Sequence, residues 1–130
     1  MGTYSNGKKI ILVIEDDKIL LDFYKNMFSL NGINVFFAKD GEQGLKMINE
    51  INPDVVVLDI LMPKLDGVEI LKRMRADEKT KSIPVLILTN YENYRDKVEP
   101  YGVVDYLIKS DTEAKEVVRR VLEVLRGRLG

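Results

Sequence analysis

Five short apolar runs recur along the chain, and their alternation with longer amphipathic stretches constrains the fold more than any other feature. The runs are rich in β-branched and aromatic residues. They also lack the polar alternation of a strand that faces water on one side, so we predict strands that are buried on both faces and therefore parallel. The predicted strands span residues 10–14, 35–38, 55–58, 85–88 and 106–108.

The amphipathic stretches that follow these runs predict five helices. In the last of them, Val117, Val121 and Leu125 form an apolar stripe, and Ser110 with Glu113 predicts a capping box at its start. Alternating strands and helices with right-handed crossovers predict an α/β fold with a doubly wound, five-stranded parallel sheet. The predicted helices span residues 18–30, 41–52, 67–77, 93–99 and 112–128.

The length and the polar N-terminus indicate one domain. With 130 residues the chain fits a single folded unit, and we expect a flexible leader at 1–8 followed by one domain at 9–130. The leader lacks the hydrophobic segment of a signal peptide, and no apolar run approaches the ~20 residues of a membrane helix. We therefore expect a cytoplasmic protein with no membrane partner.

Charge and residue content exclude several classes of function. The chain has 20 Lys and Arg against 21 Asp and Glu, a net charge of −1, so it lacks the basic field that drives non-specific nucleic-acid binding, and we expect no nucleic-acid partner. It contains neither Cys nor His, which excludes thiol chemistry, Cys/His zinc sites and histidine acid–base catalysis. Any histidine chemistry in which it takes part must be supplied by another protein.

Polar residues stand where the predicted strands end. Glu15 and Asp16 follow the first strand, Asp59 the third, Thr89 the fourth and Lys109 the fifth. Sheets of this type place ligands beyond the carboxyl ends of their strands. We therefore expect these side chains at one rim of the sheet.

The chemistry of this set favours a divalent cation and phosphoryl transfer. Glu15, Asp16 and Asp59 would repel one another without a cation between them, and an oxygen-only ligand set suits Mg²⁺. A carboxylate beside a divalent cation and a lysine can attack phosphorus and form an acyl phosphate. Asp59 is the candidate nucleophile, while Lys109 and Thr89 would neutralise and bind the phosphoryl oxygens.

These residues and their neighbours also have a purely structural interpretation. An acid after a buried strand often caps the next helix, and we assign Asp17 to that role. Thr89 alone is typical of a turn, and Lys109 alone is typical of a solvated charge. Asp66 and Gly67 predict a loop and a helix start. Only the joint placement of several polar residues at strand ends favours a functional site.

Four segments carry a resemblance to a known family. They are ILVIEDD at 11–17, VLDILMPKLDG at 57–67, LT at 88–89 and DYLIK at 105–109. With these segments the chain resembles, from about residue 8 to residue 128, a receiver domain of a two-component response regulator. It is similar to the stand-alone, chemotaxis-regulator-like form, in which no effector domain is attached.

The resemblance implies a flavodoxin-like sheet of order 2-1-3-4-5 and a phosphoacceptor function. Asp59 would accept a phosphoryl group from a phosphohistidine on a partner histidine kinase or phosphotransfer protein. Asp16 and Asp59 would bind Mg²⁺ directly, together with the backbone carbonyl of Leu61, and Glu15 would act through water. Lys109 would pair with Asp59 and then with the phosphoryl group.

The resemblance also implies a switch. The Thr89 hydroxyl would bond a phosphoryl oxygen, and the space opened behind it would favour the buried rotamer of Tyr106. Phosphorylation would then shift the population of a protein-binding surface, whose downstream target the sequence does not name. We expect no catalysis beyond the protein's own phosphorylation and dephosphorylation.

Three departures from the family pattern are visible. Ser110 stands where a proline usually follows the lysine, and we expect a trans bond before it, because a non-proline cis bond costs ~2.5–4 kcal/mol. Asn90 stands where a smaller residue usually follows the threonine, and it predicts tighter access for the phosphoryl group. Pro100 and Gly102 interrupt a shortened segment, which predicts a short fourth helix.

Two other functions stay open at this point. A phosphorylation-independent, receiver-like binding module would share the fold, and a hydrolase with an aspartyl-phosphate intermediate would use similar acids. A cluster of tyrosines also has two interpretations. It is either a partner-binding face, since tyrosine is enriched at binding hot spots, or a cover for the sheet where the fourth helix is short. The cluster comprises Tyr91, Tyr94, Tyr101 and Tyr106.

Overall fold

A five-stranded parallel sheet forms the centre of the protein in this computed structural model, which describes residues 7–127. The strands pair in the order β2-β1-β3-β4-β5, and every pair is parallel. The predicted flavodoxin-like order 2-1-3-4-5 is confirmed. The strands are β1 (Ile10–Ile14), β2 (Asn34–Ala38), β3 (Val55–Leu58), β4 (Val85–Thr89) and β5 (Asp105–Ile108).

Five α-helices connect and cover the strands. They are α1 (Lys18–Leu30), α2 (Gly41–Ile51), α3 (Gly67–Ala76), α4 (Arg95–Val98) and α5 (Ala114–Leu125). Short 3₁₀ turns at Glu92–Tyr94 and Glu99–Tyr101 flank α4, and the predicted short fourth helix is confirmed. Within residues 7–127, no helix combines the length and the hydropathy of a membrane span.

Two apolar cores lie on opposite faces of the sheet. One contains Ile48 of α2 and Ile70 of α3, and the other contains Phe28 of α1 and Val121 of α5. Strands β1, β3 and β4 are buried along their whole length, whereas β2 and β5 are partly exposed. The prediction of full burial is therefore right for the three central strands only, because an edge strand has no neighbour on one side.

Aspartate side chains cap three of the helices. Asp17 Oδ1 accepts a hydrogen bond from the Leu20 N–H at 3.2 Å, which confirms the predicted cap of α1. Asp40 and Asp66 accept the equivalent bonds at the starts of α2 and α3. The first turn of each helix thereby gains a partner for one of its free N–H groups.

The start of α5 differs from the prediction. A 3₁₀ turn spans Lys109–Asp111, α5 begins at Ala114, and Glu113 before it makes no side-chain capping bond. The predicted capping box is therefore wrong, since the turn leaves Ser110 well before the position at which a capping side chain acts. The helix also ends at Leu125, short of the predicted end at 128. Residues 1–6 of the predicted leader and residue 128 lie outside the described residues.

Arg75, near the end of α3, joins this helix to two segments, which precede β4 and β5. Its Nε donates a hydrogen bond to the Tyr101 carbonyl at 2.6 Å, and its Nη1 donates to the Lys81 and Ile83 carbonyls at 3.0 and 2.9 Å. Its Nη2 donates to the Gly102 carbonyl at 3.2 Å. Burial lowers the pKa of the Arg75 guanidinium below its usual value. The planar guanidinium group carries five N–H donors, so it can donate hydrogen bonds to all four carbonyls at the same time.

We predict that Arg75→Ala lowers the free energy of unfolding by about 2–4 kcal/mol, because it leaves several carbonyls without their charge-assisted bonds. Urea denaturation monitored by circular dichroism measures this loss. Arg73→Ala on the same helix is the matched control, since Arg73 forms an exposed pair with Glu69, and its effect should stay below about 1 kcal/mol. Equal effects of the two substitutions would contradict the assignment.

Candidate functional site

The carboxyl ends of four strands bring the predicted polar residues to one rim. Glu15 follows β1 and Asp59 follows β3, and their N–H groups extend the sheet by donating to the Ala38 and Ile14 carbonyls at 3.0 and 3.2 Å. Thr89 is the last residue of β4, and Lys109 follows β5 directly. Because the sheet is parallel, these positions share one edge, as the strand-end argument predicts.

Lys109 connects two of these residues by ion pairs. Its Nζ lies 2.8 Å from Asp59 Oδ2 and 2.7 Å from Glu15 Oε1. Burial alone would lower the pKa of Lys109, but its hydrogen bonds to Asp59 and Glu15 outweigh that effect and raise the pKa above its usual value. The ammonium is therefore charged at neutral pH. The contact with Asp59 is the predicted one, and the contact with Glu15 is additional.

Glu15 is a buried carboxylate with a structural task. It is only 2% exposed, and its Oε2 accepts hydrogen bonds from the Asp16 and Asp17 N–H groups, both at 3.0 Å. Burial raises the pKa of Glu15 above its usual value, although the bonds from Lys109 and Asp17 oppose this. Glu15 thus holds the turn after β1 in the shape that presents Asp16 at the rim.

Thr89 carries an unpaired hydroxyl at the site. Its side chain is fully buried, and Oγ1 makes no hydrogen bond within residues 7–127. A buried polar group without a partner costs about 1–3 kcal/mol. A hydroxyl held in this state, at the same rim of the sheet as Asp59 and Lys109, is equipped to bind a ligand oxygen.

The loop after Asp59 is fixed from two sides. The Gly67 N–H donates to the Ile60 carbonyl at 2.7 Å, and the Gly41 N–H donates to the Pro63 carbonyl at 3.1 Å. A Cβ on Gly67 would lie 2.7 Å from the Asp59 carbonyl oxygen, so only glycine allows this close approach. Leu61 within the loop is 42% exposed.

The donor atoms at this rim fit a magnesium ion that keeps several waters. No group of three or more Asp, Glu, His or Cys side chains in the described part of the chain is arranged to hold a metal by itself. Lys109 engages Glu15 and Asp59, and Asp16 is exposed. Mg²⁺ needs only one or two carboxylates when water and substrate oxygens supply the rest. The hard oxygen donors of Asp16 and Asp59 meet that requirement.

Tyr106 lies inward, beside the end of β4. Its ring is buried, its hydroxyl donates a hydrogen bond to the Tyr91 carbonyl, and Arg95 Cζ lies 4.4 Å from the ring centroid. Tyr94 and Tyr101 pack against the core, whereas Tyr91 is 46% exposed. The tyrosine cluster therefore divides: three members cover the sheet, and only Tyr91 offers a large exposed face.

Besides the Lys109–Glu15 contact, sequence reasoning missed a hydrogen bond between the residues that follow Thr89 and Lys109. The Ser110 N–H donates to Asn90 Oδ1 at 2.8 Å, and the bond before Ser110 is trans, as predicted, since residues 7–127 contain no cis peptide bond. The signal was present, because a serine in place of proline leaves an N–H group to be satisfied and Asn90 offers an acceptor. The two departures from the family pattern are in direct contact.

Comparison with protein families gives one match over most of the chain. The model for the response regulator receiver domain matches residues 11–121. Among curated proteins, the chain is similar to the DNA-binding dual master transcriptional regulator RpaA of Synechocystis sp., with 36% identity over 118 residues. That match covers 89% of this chain and 48% of the relative. The chain spans about half the length of the curated relatives it matches.

Solved structures of receiver domains are also similar to this chain. The receiver domain of the Francisella response regulator 1452 has a TM-score of 0.76 and 38% identity, and the match covers 88% of this chain and 94% of that one. The receiver domain of sensor histidine kinase PA1611 from Pseudomonas aeruginosa has a TM-score of 0.77 and 26% identity, with coverages of 90% and 96%. That structure contains a magnesium ion coordinated in the active site cleft.

We predict that Lys109→Met lowers the free energy of unfolding by about 2–4 kcal/mol at pH 7.5, because two buried carboxylates lose their counter-charge. Without Lys109, the pKa of Glu15 in the folded protein rises further above its unfolded value. The folded state then binds the proton more tightly, so the mutant loses stability as the pH rises from about 4.5 through that raised pKa. Urea titrations in EDTA between pH 4 and 8 measure the free energy of unfolding of Lys109→Met and of the wild type at each pH.

Lys115→Met is the control for this series, since Lys115 is exposed, and its effect should be small at every pH. A loss in Lys109→Met that is constant across the pH range would contradict the coupling of Lys109 to buried acids.

Proposed function

The chain belongs to the response regulator receiver domain family, and from that premise we propose that Asp59 is its phosphoacceptor. The observation that carries the proposal is that Lys109 Nζ contacts Asp59 Oδ2 at the same rim of the sheet as the unpaired hydroxyl of Thr89. A nucleophilic carboxylate, a fixed cation and a free hydrogen-bond donor are the groups that phosphoryl transfer uses. A phosphorylation-independent binding module would have no use for this arrangement.

The proposed reaction forms one bond and breaks one. A carboxylate oxygen of Asp59 attacks phosphorus, and the bond from phosphorus to the imidazole nitrogen of a phosphohistidine breaks, returning its electron pair to the ring. Lys109 Nζ and the Thr89 hydroxyl then bind the oxygens of the transferred group. The donor histidine comes from a partner histidine kinase or phosphotransfer protein, because this chain contains no His. We propose no catalysis beyond this reaction and the hydrolysis that reverses the modification, both in the cytoplasm.

Magnesium is the proposed cofactor. Asp16, Asp59 and the Leu61 carbonyl would hold it, and Glu15 would keep the turn before Asp16 in place. When bound, the ion supplies positive charge next to the phosphoryl oxygens. The oxygen-only chemistry of the donor set supports this assignment.

The proposed consequence of phosphorylation is a shift at Thr89 and Tyr106. A phosphoryl oxygen gives the Thr89 hydroxyl its missing partner, and Thr89 adjoins the 90–106 segment, where Tyr106 bonds to the Tyr91 carbonyl. A ligand of Thr89 therefore stabilises the inward arrangement of Tyr106. The surface that would change is centred on the exposed ring of Tyr91. The downstream protein would bind this surface together with the outer side of α5.

We expect acetyl phosphate with Mg²⁺ to add one phosphate to the wild-type protein and none to Asp59→Asn. Intact mass spectrometry with peptide mapping measures the adduct. Asp96→Asn is the matched control, since Asp96 is an exposed carboxylate on α4, and it should react like the wild type.

Lys109→Met should retain Mg²⁺ binding and lose most of the shift at Thr89 and Tyr106 that phosphorylation causes.

A phosphate adduct on Asp59→Asn at normal yield would show that the assignment of Asp59 as the nucleophile is wrong. Failure of the wild type to acquire phosphate from acetyl phosphate or from a histidine kinase would favour the binding module. Continuous turnover of the phosphodonor in large excess over protein would favour the hydrolase.

We also expect phosphorylation to slow amide exchange between residues 89 and 106. Hydrogen–deuterium exchange of wild type with and without acetyl phosphate measures this, and Asp59→Asn under the same conditions is the control. The physical reason is that a partner for Thr89 lowers the free energy of the inward arrangement relative to open ones. Protection confined to α1 and β2 would contradict the proposed switch.

A further inference from the structure

The bond between Asn90 and Ser110 lies next to the residues that handle the phosphoryl group. Asn90 follows Thr89 and Ser110 follows Lys109, and the Ser110 N–H donates to Asn90 Oδ1 at 2.8 Å. Thr89 and Ile108 are partners in the parallel ladder of β4 and β5. The side-chain bond therefore continues the connection between the two strands beyond the last backbone pair.

This bond acts on the backbone from which Lys109 extends. Immediately after β5 the chain enters the 3₁₀ turn at Lys109–Asp111, and a second anchor comes from Thr112, whose Oγ1 donates to the Ile108 carbonyl at 2.8 Å. Asn90 ties this turn to β4, and Thr112 ties it to β5. The direction of the Lys109 side chain depends on both, because its ammonium must reach Glu15 and Asp59 on the far side of β4.

We propose that Asn90 is a positioning residue, which fixes the Lys109 backbone through the Ser110 N–H and so aims the ammonium at Asp59. This inference rests on the proposed phosphoacceptor function. It gives the two departures from the family pattern a single explanation: the serine supplies a backbone donor that a proline lacks, and the asparagine supplies the acceptor. The Asn90–Ser110 pair thus makes a bond that a proline at position 110 could not make.

The alternative role of Asn90 is obstruction of the phosphoryl pocket, as its size alone predicts. The structure favours positioning, because Oδ1 is bonded to the rim of the neighbouring strand. The two roles predict opposite effects of truncation: loss of an obstruction speeds phosphorylation, and loss of a positioning bond slows it.

The test measures phosphorylation rates with acetyl phosphate and Mg²⁺ in the full chain. Asn90→Ala removes the acceptor and the bulk, whereas Asn90→Leu removes the acceptor but keeps the bulk. We expect both to slow the maximal rate by about 3- to 10-fold, the range that one net hydrogen bond supplies. The donor concentration at half-maximal rate should change less than twofold, since the bond acts on the transition state through Lys109. Asn93→Ala should match the wild type, since Asn93 is an exposed asparagine in the nearby 3₁₀ turn at Glu92–Tyr94.

A second pair of measurements identifies Ser110 as the partner. In a Ser110→Pro background, which lacks the donor, Asn90→Ala should have no further effect on the rate. In the parent background, Asn90→Ala should speed exchange of the Ser110 amide several-fold, and this readout does not depend on phosphorylation.

Faster phosphorylation of Asn90→Ala, or an undiminished effect of that substitution in the Ser110→Pro background, would overturn the positioning role. A wild type that takes up phosphate while Asn90→Ala reacts at the same rate would overturn this inference alone. A wild type that acquires no phosphate would overturn the proposed function as well, and the Ser110 exchange would then report only whether the bond exists.

Discussion

The ion pairs of Lys109 with Glu15 and Asp59 are the interactions on which the rest of the site depends. Two carboxylates, Glu15 and Asp59, directly follow the neighbouring strands β1 and β3, and these residues are 2% and 8% exposed. A buried acid is tolerated when a counter-charge and hydrogen bonds replace its water. Lys109, which follows a third strand, supplies the charge to both acids, and the backbone of the β1–α1 turn supplies hydrogen bonds to Glu15.

This arrangement requires the parallel sheet. Only parallel strands bring the carboxyl ends of β1, β3, β4 and β5 to one rim. Burial of the central strands on both faces places apolar side chains beneath that rim, which lowers the dielectric constant around its charged groups. The opposite end of the sheet, at the amino ends of β4 and β5, is stabilised separately, since α4 is too short to hold the segment between these strands. Arg75 stabilises it with four hydrogen bonds to backbone carbonyls.

The sequence predicts the elements and the strand-end residues well, because both follow from periodicity and from a general rule about where such sheets place their ligands. It predicts contacts between side chains less well. The bond from Lys109 to Glu15 and the Asn90–Ser110 bond depend on rotamers and on the offset between strands, which spacing along the chain does not determine. The capping box of α5 failed for a related reason: a 3₁₀ turn of the kind that follows β5 has no periodic signature.

Charge balance links the described site to its proposed chemistry. Glu15, Asp16 and Asp59 contribute three negative charges against the one positive charge of Lys109, which leaves an excess of two. One divalent cation would neutralise that excess, which is the electrostatic argument for the proposed magnesium at a rim with two buried acids. In the proposed reaction, phosphorylation would replace the single charge of Asp59 by the larger charge of a phosphoryl group. The Lys109 ammonium would then have a stronger partner than the carboxylate it now contacts, and the hydroxyl of Thr89 would gain the acceptor it lacks.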